Sequence, residues 1–338
     1  MGHVLLTRRI PSSVLTLLQS HHTVDLYSGD AAIPRDELLR RVADKDALVC
    51  TLTDKIDGEV MDAAPALKIV ANIAVGYDNL DVPAARLRGI IVTNTPDVLT
   101  EATAELTWAL ILGIARRVTE GDRLIRAGAW KRWGLDFMLG MELRGKQLGI
   151  IGRGRIGLAV AAKAPAFGMR AVFARRERNG ATGEAVAQWS EPTRGAGGNR
   201  GVAADPSAKD DMSLDELLVT SDIVSIHAPS TPETRHLINR RTLARMKRSA
   251  ILVNTARGAL VDEEALAWAL GERLIAGAAL DVYEREPGDQ PALKDFENVL
   301  LAPHLGSATR ETRTAMAELA VRNALAVLNG DEPLTPVR

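Results

Sequence analysis

Residues 147–168 hold this chain to one kind of fold. Gln147-Leu148-Gly149-Ile150-Ile151 is an apolar run of strand length. Gly152-Arg153-Gly154-Arg155-Ile156-Gly157 follows without a gap, and Ile156 to Phe167 reads as a helix up to Gly168. A buried strand, a glycine turn and a helix, in that order, open a strand–helix–strand unit with parallel strands. Each glycine has its own task. Gly152 permits the tight turn, Gly154 leaves the backbone open to a pyrophosphate, and Gly157 lets helix and strand pack closely. The amides and positive dipole of a helix start bind phosphate. Arg153, Arg155 and Ile156 are therefore read with the glycines as dinucleotide contacts, a purely structural turn being the alternative. Gly168 suits a C-terminal cap, and Pro165 is expected to bend the last turn before it.

The same alternation runs along the whole chain. Early strands are predicted at 3–7, 23–27, 47–50, 69–73 and 90–94, with helices at 11–20, 34–43, 58–63 and 82–88 between them. A long helix begins near Thr100, where Thr100 with Thr103 and Glu101 with Glu105 suit a capped, acidic first turn. Its apolar face is read as Leu106, Leu110, Gly113 and Ile114, continuing to Val118, and its length suits a bridge between domains. A second series follows with strands at 147–151, 171–174, 223–227, 251–255, 277–280 and 299–302. A last helix, near 310–328, presents Ala315, Leu319, Ala320, Ala324, Val327 and Leu328. The fold class is α/β, built on doubly wound parallel sheets. The 338 residues suit two domains. The first is discontinuous, 1–98 plus 304–338, and the second is 99–303, with hinge crossovers near Leu99 and Pro303. Residues 177–211 lack apolar periodicity and are rich in Gly, Ala and Arg. They read as a flexible insertion, or alternatively as a lid or partner-binding loop.

Composition removes several classes. A net charge of -1 favours neither nucleic acid nor an anionic membrane. Cys50 is the sole cysteine, which rules out an intrachain disulfide and a cysteine metal cluster. It follows Ala47-Leu48-Val49 and reads as a buried strand thiol. The chain shows no signal segment and no apolar run long enough to span a bilayer, so the cytoplasm is the expected location.

Three further motifs each end an apolar run and expose a chemical group. They are Asn254-Thr255-Ala256-Arg257-Gly258, Asp281-Val282-Tyr283-Glu284-Arg285-Glu286-Pro287 and Ala302-Pro303-His304-Leu305-Gly306-Ser307. Together they offer a cation, a carboxylate and an imidazole. Reduction of a 2-oxo acid needs a cation for the carboxylate, a proton donor for the carbonyl oxygen and an acid that tunes the donor. A carboxylate beside His304 is expected to raise its pKa and keep it protonated near neutral pH. The cofactor itself is chosen at the end of the strand after the glycine helix. An Asp or Glu there would accept from the adenosine 2′-hydroxyl, but the chain reads Ala174-Arg175-Arg176, with no carboxylate before Glu177. Two guanidiniums suit a 2′-phosphate, so NADP(H) is preferred and NAD(H) remains possible.

With these motifs in hand, the chain resembles the D-isomer-specific 2-hydroxyacid dehydrogenases, most closely their glyoxylate/hydroxypyruvate reductase branch. The resemblance spans about residues 2–334, leaving 177–211 unmatched, and includes Thr231-Pro232-Glu233-Thr234. It implies two Rossmann-like domains with the active site in the cleft between them, the smaller domain made from both chain ends. It also implies that Arg257 binds the substrate carboxylate and carbonyl oxygen, that His304 is the acid/base, and that Glu286 pairs with it. By the same resemblance Asp281 holds the nicotinamide carboxamide, Thr255 and Ala256 line the nicotinamide pocket, and Thr103, Pro229, Thr234 and Gly306 are cofactor contacts. Val75 and Gly76 bind the substrate carboxylate through backbone amides, beside Leu52. Trp133 reaches the partner subunit's active site in a homodimer whose interface arm is 130–143, or else serves in dimer packing alone. His227 is read as a structural strand-end cap rather than a catalytic base.

Leu52 and Val75 suggest a small, partly apolar substrate pocket without a phosphate clamp. Related phosphite dehydrogenases carry lysine where Val75 stands, and formate dehydrogenases carry glutamine where Glu286 stands. Phosphoglycerate dehydrogenases usually add a regulatory extension, whereas this chain ends at Arg338. The reading is NADPH-dependent reduction of glyoxylate and hydroxypyruvate, with no metal. A dehydrogenase for larger 2-oxo acids and a dinucleotide-sensing corepressor-like module are the alternatives.

Overall fold

The structure is a computed structural model that describes residues 1–175, 211–288, 290 and 292–337. The chain forms two compact units, Met1–Leu99 with Ser307–Arg338, and Thr100–Gly306.

The first unit begins β1 (His3–Leu6), α1 (Ser12–Gln19), β2 (Thr23–Leu26), α2 (Arg35–Val42) and β3 (Ala47–Cys50). It continues α3 (Gly58–Asp62), β4 (Ile69–Asn72), α4 (Val82–Leu87) and β5 (Ile91–Thr93). The strands make one parallel sheet in the order β2-β1-β3-β4-β5. Alternate residues of its central strands serve two separate cores. Val4, Leu6, Val49 and Ala71 pack into one, and Leu5, Leu48, Cys50 and Val70 into the other. Helices cover both faces, which is why the strands are apolar throughout and not alternating. Truncating Leu48, fully buried in its core, to Ala would cost about 2–5 kcal/mol. Asp57 and Asp81 cap α3 and α4 by accepting from Val60 N and Ala84 N.

The second unit holds α5 (Thr100–Ala115), α6 (Val118–Arg126), β6 (Gln147–Ile151), α7 (Arg155–Lys163), β7 (Arg170–Ala174) and β8 (Asp211–Met212). It goes on through α8 (Leu214–Thr220), β9 (Ile223–Ile226), α9 (Arg240–Leu243), β10 (Ile251–Asn254), α10 (Glu263–Gly271), β11 (Gly277–Leu280) and β12 (Val299–Leu301). Its sheet is parallel, with seven described strands in the order β12-β11-β10-β9-β6-β7-β8. The order reverses between β6 and β9. In open sheets of this kind the crevice above the reversal receives the ligand. The fold class expected from the sequence is therefore realised twice.

Several local expectations change. The long helix stops at Ala115, because Arg117 takes a left-handed conformation (φ 53°) and a separate helix, α6, begins at Val118. Val118 is consequently exposed. The buried face of α5 is Thr103, Ala104, Thr107, Trp108, Leu110, Ile111 and Ala115, so its tighter side carries small and hydroxyl residues that let α7 approach. Trp108 Nε1 donates across that contact to the Val160 carbonyl at 3.0 Å. Thr103 does not cap the helix, since its hydroxyl donates instead to the Gly306 carbonyl. Finally, the aperiodic segment ends one residue early, because Asp211 lies on β8. The rest of that segment, 177–210, falls outside the described residues, as does Arg176. The expected bend near Pro165 takes the form of a 3-10 turn over Ala164–Phe167, closed by Gly168 at φ 65°.

The last helix, α11 (Arg310–Asn329), returns to the first unit and is capped by Thr309 accepting from Thr312 N. It buries Met316, Ala317, Val321 and Asn323 in place of the expected Ala315 and Leu319. Asn323 is on the inner face because it has work there. Its side chain donates to Thr335 Oγ1 and accepts from Thr335 N, while Thr335 Oγ1 donates to the Asn94 carbonyl. The tail then continues along β5, with Val337 N donating to Val92 O at 2.8 Å and Pro336 bridged antiparallel to Thr93.

Candidate active site

The glycine turn leaves β6 at its carboxyl end, beside the reversal of strand order. Gly152 sits at φ 114°, and a Cβ there would lie 2.5 Å from the His227 carbonyl. At Gly157 a Cβ would lie 2.0 Å from Gly152 O. Both positions require glycine. Gly154, by contrast, would find no atom of the described residues within 4 Å of its Cβ, so on their side the backbone at the start of α7 is open for a close approach. Arg155 is exposed and Ile156 half-buried. His227 closes the other side. Its amide donates to Ile151 O at 2.7 Å and its Nε2 meets Ser225 Oγ at 2.8 Å. Burial lowers its pKa to about 3, so the ring is neutral. That agrees with a structural strand-end role.

The loop after β10 is pinned by its own first residue. Asn254 Oδ1 accepts from Ala256 N, and Asn254 Nδ2 donates to Arg257 O. Thr255 Oγ1 meets Thr107 Oγ1 of α5 at 2.9 Å. Arg257 is half-buried, and its Nη1 donates to Ala256 O. Next along the sheet, β11 ends at Asp281, which is fully buried. Its carboxylate accepts from Leu305 N at 2.6 Å and Gly306 N at 2.8 Å, and its own carbonyl accepts from His304 N. Burial raises the Asp281 pKa, while the two backbone donors and His304 oppose the rise. These bonds, with Thr103 on Gly306, fix the loop after β12. His304 stands there at φ 54°, a conformation that favours glycine and is held by those surroundings. His304 Nδ1 lies 2.9 Å from Glu286 Oε2. Arg257, Asp281 with Glu286, and His304 thus occupy the carboxyl ends of three neighbouring strands, β10, β11 and β12.

Other contacts hold these loops in register, and sequence reading missed them. The Tyr283 hydroxyl donates to Ala302 O at 2.8 Å, and burial pushes its pKa up to about 12, so it stays a donor. A Cβ on Gly258 would lie 1.8 Å from the Tyr283 carbonyl carbon, which locks the loops after β10 and β11 together. Glu284 N donates to Glu263 Oε1 of α10 at 2.7 Å. Glu263 is raised first by burial, with Glu284 and Glu286 adding to the effect. The Glu284 carboxylate pairs with His236, a second imidazole–carboxylate couple beside the first. Signals were present in Glu-x-Glu at 284–286 and in His236, but only the fold brings His236 across 48 residues. After β9, Thr234 Oγ1 donates to Pro229 O and accepts from Thr231 N.

Arg175 is exposed at the end of β7, and its amide donates to Met212 O. Arg153 Nη1 lies 2.8 Å from both carboxylate oxygens of Asp211. In the first unit, Leu52 follows β3 and Val75-Gly76 follows β4, all half-buried. Asn94 Nδ2 donates to Val75 O and Asn72 Nδ2 to Gly76 O. Trp133 is 73% exposed, as are Leu135 and Leu139 to similar degrees. Among the described residues no cluster of His, Cys, Asp or Glu is placed to hold a metal, and no helix is long and apolar enough to cross a membrane.

A family model described as D-isomer specific 2-hydroxyacid dehydrogenase, NAD binding domain, matches residues 108–193 and 196–306. The chain belongs to the D-isomer-specific 2-hydroxyacid dehydrogenases. A glyoxylate reductase of Thermococcus kodakarensis is 48% identical over 338 residues, covering 99% of this chain and 95% of that one. A crystal structure of a Thermus thermophilus protein superposes with a TM-score of 0.88 at 47% identity, covering 99% and 100% of the two chains. An NADPH-dependent glyoxylate/hydroxypyruvate reductase from Sinorhizobium meliloti, solved with NADP and malonate, superposes with a TM-score of 0.81 at 34% identity, covering 99% and 96%. As a member of this family the chain is an oxidoreductase of 2-hydroxy acids that uses a nicotinamide dinucleotide. The open backbone at Gly154 and the amides at the start of α7 suit the pyrophosphate of that cofactor.

Proposed function

We propose that this dehydrogenase reduces glyoxylate to glycolate and hydroxypyruvate to D-glycerate, with NADPH preferred over NADH. The observation that carries this reading is the His304–Glu286 pair at 2.9 Å, one strand from Arg257. A dinucleotide held at the glycine turn would supply the hydride for the carbonyl carbon. His304 gives the proton. With Nδ1 turned to Glu286, Nε2 is the nitrogen left to face the carbonyl oxygen, and Glu286 stabilises the cationic ring before transfer. Asp281 acts through the Leu305 and Gly306 amides to keep that ring in place, in addition to its proposed contact with the carboxamide. Arg257 is the fixed cation for the substrate carboxylate and the developing oxyanion.

Thr103, Thr255, Ala256, Pro229, Thr234 and Gly306 are proposed cofactor contacts. Leu52, Val75 and Gly76 are proposed substrate contacts, and the apolar first two favour a short substrate. The NADPH preference rests on Arg175 and Arg176 following β7. We also propose a cytoplasmic homodimer formed through the largely exposed 130–143 arm, with Trp133 directed at the partner's substrate.

The test is oxidation of NADPH and NADH, separately, with glyoxylate, hydroxypyruvate, pyruvate and phenylpyruvate. Faster turnover of the first two with NADPH supports the reading. Equal rates with NADH overturn the cofactor preference alone, phenylpyruvate as the best substrate overturns the substrate class, and no turnover overturns the whole.

A further inference from the structure

The place where this sheet reads the ribose 2′ substituent, at the end of β7, contains a carboxylate that does not come from β7. Strand β8 pairs parallel with β7 in the register Phe173↔Asp211 and Ala174↔Met212. That register sets Asp211 next to the end of β7, where the acid of an NAD-binding sheet usually sits. Arg153, from the glycine turn, spans the two strands. Its Nη1 lies 2.8 Å from both Asp211 oxygens, and its guanidinium lies over the Phe173 ring with 5.0 Å to the centroid. Both side chains are half-buried, at 31% and 24% exposure, so their charges are only partly screened. Arg175 stands on the same edge, and its charge reaches Glu216 in the first turn of α8.

We propose that Asp211 is a specificity-determining residue that weakens the preference for a 2′-phosphate by holding Arg153. The inference deepens the cofactor part of the proposed function and rests on the dinucleotide occupying the glycine turn. A 2′-phosphate entering here must draw Arg153 away from Asp211 and sit close to a carboxylate of its own sign. A 2′-hydroxyl meets neither obstacle. Arg175 favours the phosphate, whereas Asp211 limits how far that preference goes. The stacking on Phe173 helps to keep Arg153 in position, so removing Asp211 takes away one carboxylate that competes with the phosphate for it.

The experiment measures calorimetric affinities of the full-length protein for 2′,5′-ADP and 5′-ADP, which report binding without turnover. D211N is expected to bind 2′,5′-ADP about three- to tenfold more tightly, with 5′-ADP changed less than about twofold. In an R153Q background the same substitution should change the ratio far less, which ties the effect to the pair. D211S repeats the measurement should the amide form new bonds, and thermal melting checks that each variant is folded. An unchanged ratio in both D211N and D211S overturns the proposal. So does weaker 5′-ADP binding, which would assign Asp211 to the 2′-hydroxyl instead. The wild-type ratio separately tests the NADPH preference, so either idea can fail without the other.

Discussion

In the first unit, the crevice where strand order turns lies between β1 and β3, and the protein fills it itself. Asp54 Oδ2 accepts from Thr7 Oγ1 at 2.6 Å, from Thr51 N at 2.8 Å and from Thr51 Oγ1 at 3.1 Å. All of this is buried or half-buried. In the second unit the corresponding crevice, between β6 and β9, is walled by backbone. Gly152 abuts His227, Gly157 abuts Gly152, and among the described residues no atom lies within 4 Å of a Cβ built on Gly154. Two sheets of one architecture therefore differ in what stands at the same topological point. A side chain that bridges two strand ends closes the crevice, and three glycines keep it open. Ligand capacity is a property of those few residues and not of the doubly wound sheet as such.

Four substitutions would break or sharpen this contrast. His304→Ala should lower kcat by roughly 10²–10⁴-fold while dinucleotide affinity stays within about twofold; simultaneous loss of binding would mean that His304 serves the cofactor site and not proton transfer. Gly157→Val should weaken dinucleotide binding by about a hundredfold, since its side chain must displace the Gly152 carbonyl. Calorimetry on the folded variant would check this, and near-normal affinity would remove the case for an open crevice. Asp54→Ala should cost about 1–3 kcal/mol in urea unfolding by leaving the Thr51 amide unpaired and the Thr7 hydroxyl with only its 3.4 Å bond to Val49 O. Its dinucleotide affinity should not change, and a change would show that the closed crevice also serves the cofactor. The last effect concerns His227 and is absent near neutral pH. Its folded pKa of about 3 lies below the ordinary 6.5, so the unfolded chain binds a proton that the folded one refuses. Stability should therefore fall as pH drops from about 6.5 towards 3, with no contribution above 6.5. His227→Gln should flatten that part of the stability–pH curve, and an identical slope in both proteins would contradict a neutral histidine at the crevice wall.

Much of this was legible before any coordinates, for physical reasons. Strands buried on both faces are continuous apolar runs, so β3, β4 and β10 stand out, and the groups that matter directly follow them, as Arg257 follows β10. What stayed hidden depends on distant partners. Asp211 meets Arg153 only through the pairing of β8 with β7. Thr7 and Asp54 are 47 residues apart, and neither signals the other. The break before α6 was invisible because arginine has no preference for the left-handed conformation that Arg117 adopts. On α11 the inner face was misassigned because Asn323 is polar, and only its bonds to Thr335 justify its burial. Asp281 shows a different kind of limit. Its position was read, but its two bonds to the loop bearing His304 were not, since a carboxylate in sequence does not reveal which amides it will accept from.

The tail that runs along β5 has a consequence of its own. Strand β5 borders its sheet, and a bare border offers unpaired amides and carbonyls to any passing chain. Residues 335–337 occupy part of that row, and the Thr335 hydroxyl fastens them through Asn323 and Asn94. A protease that nicks after Leu334 would bare a sticky rim without cutting into Arg257, Glu286 or His304, so preparations would be expected to cloud.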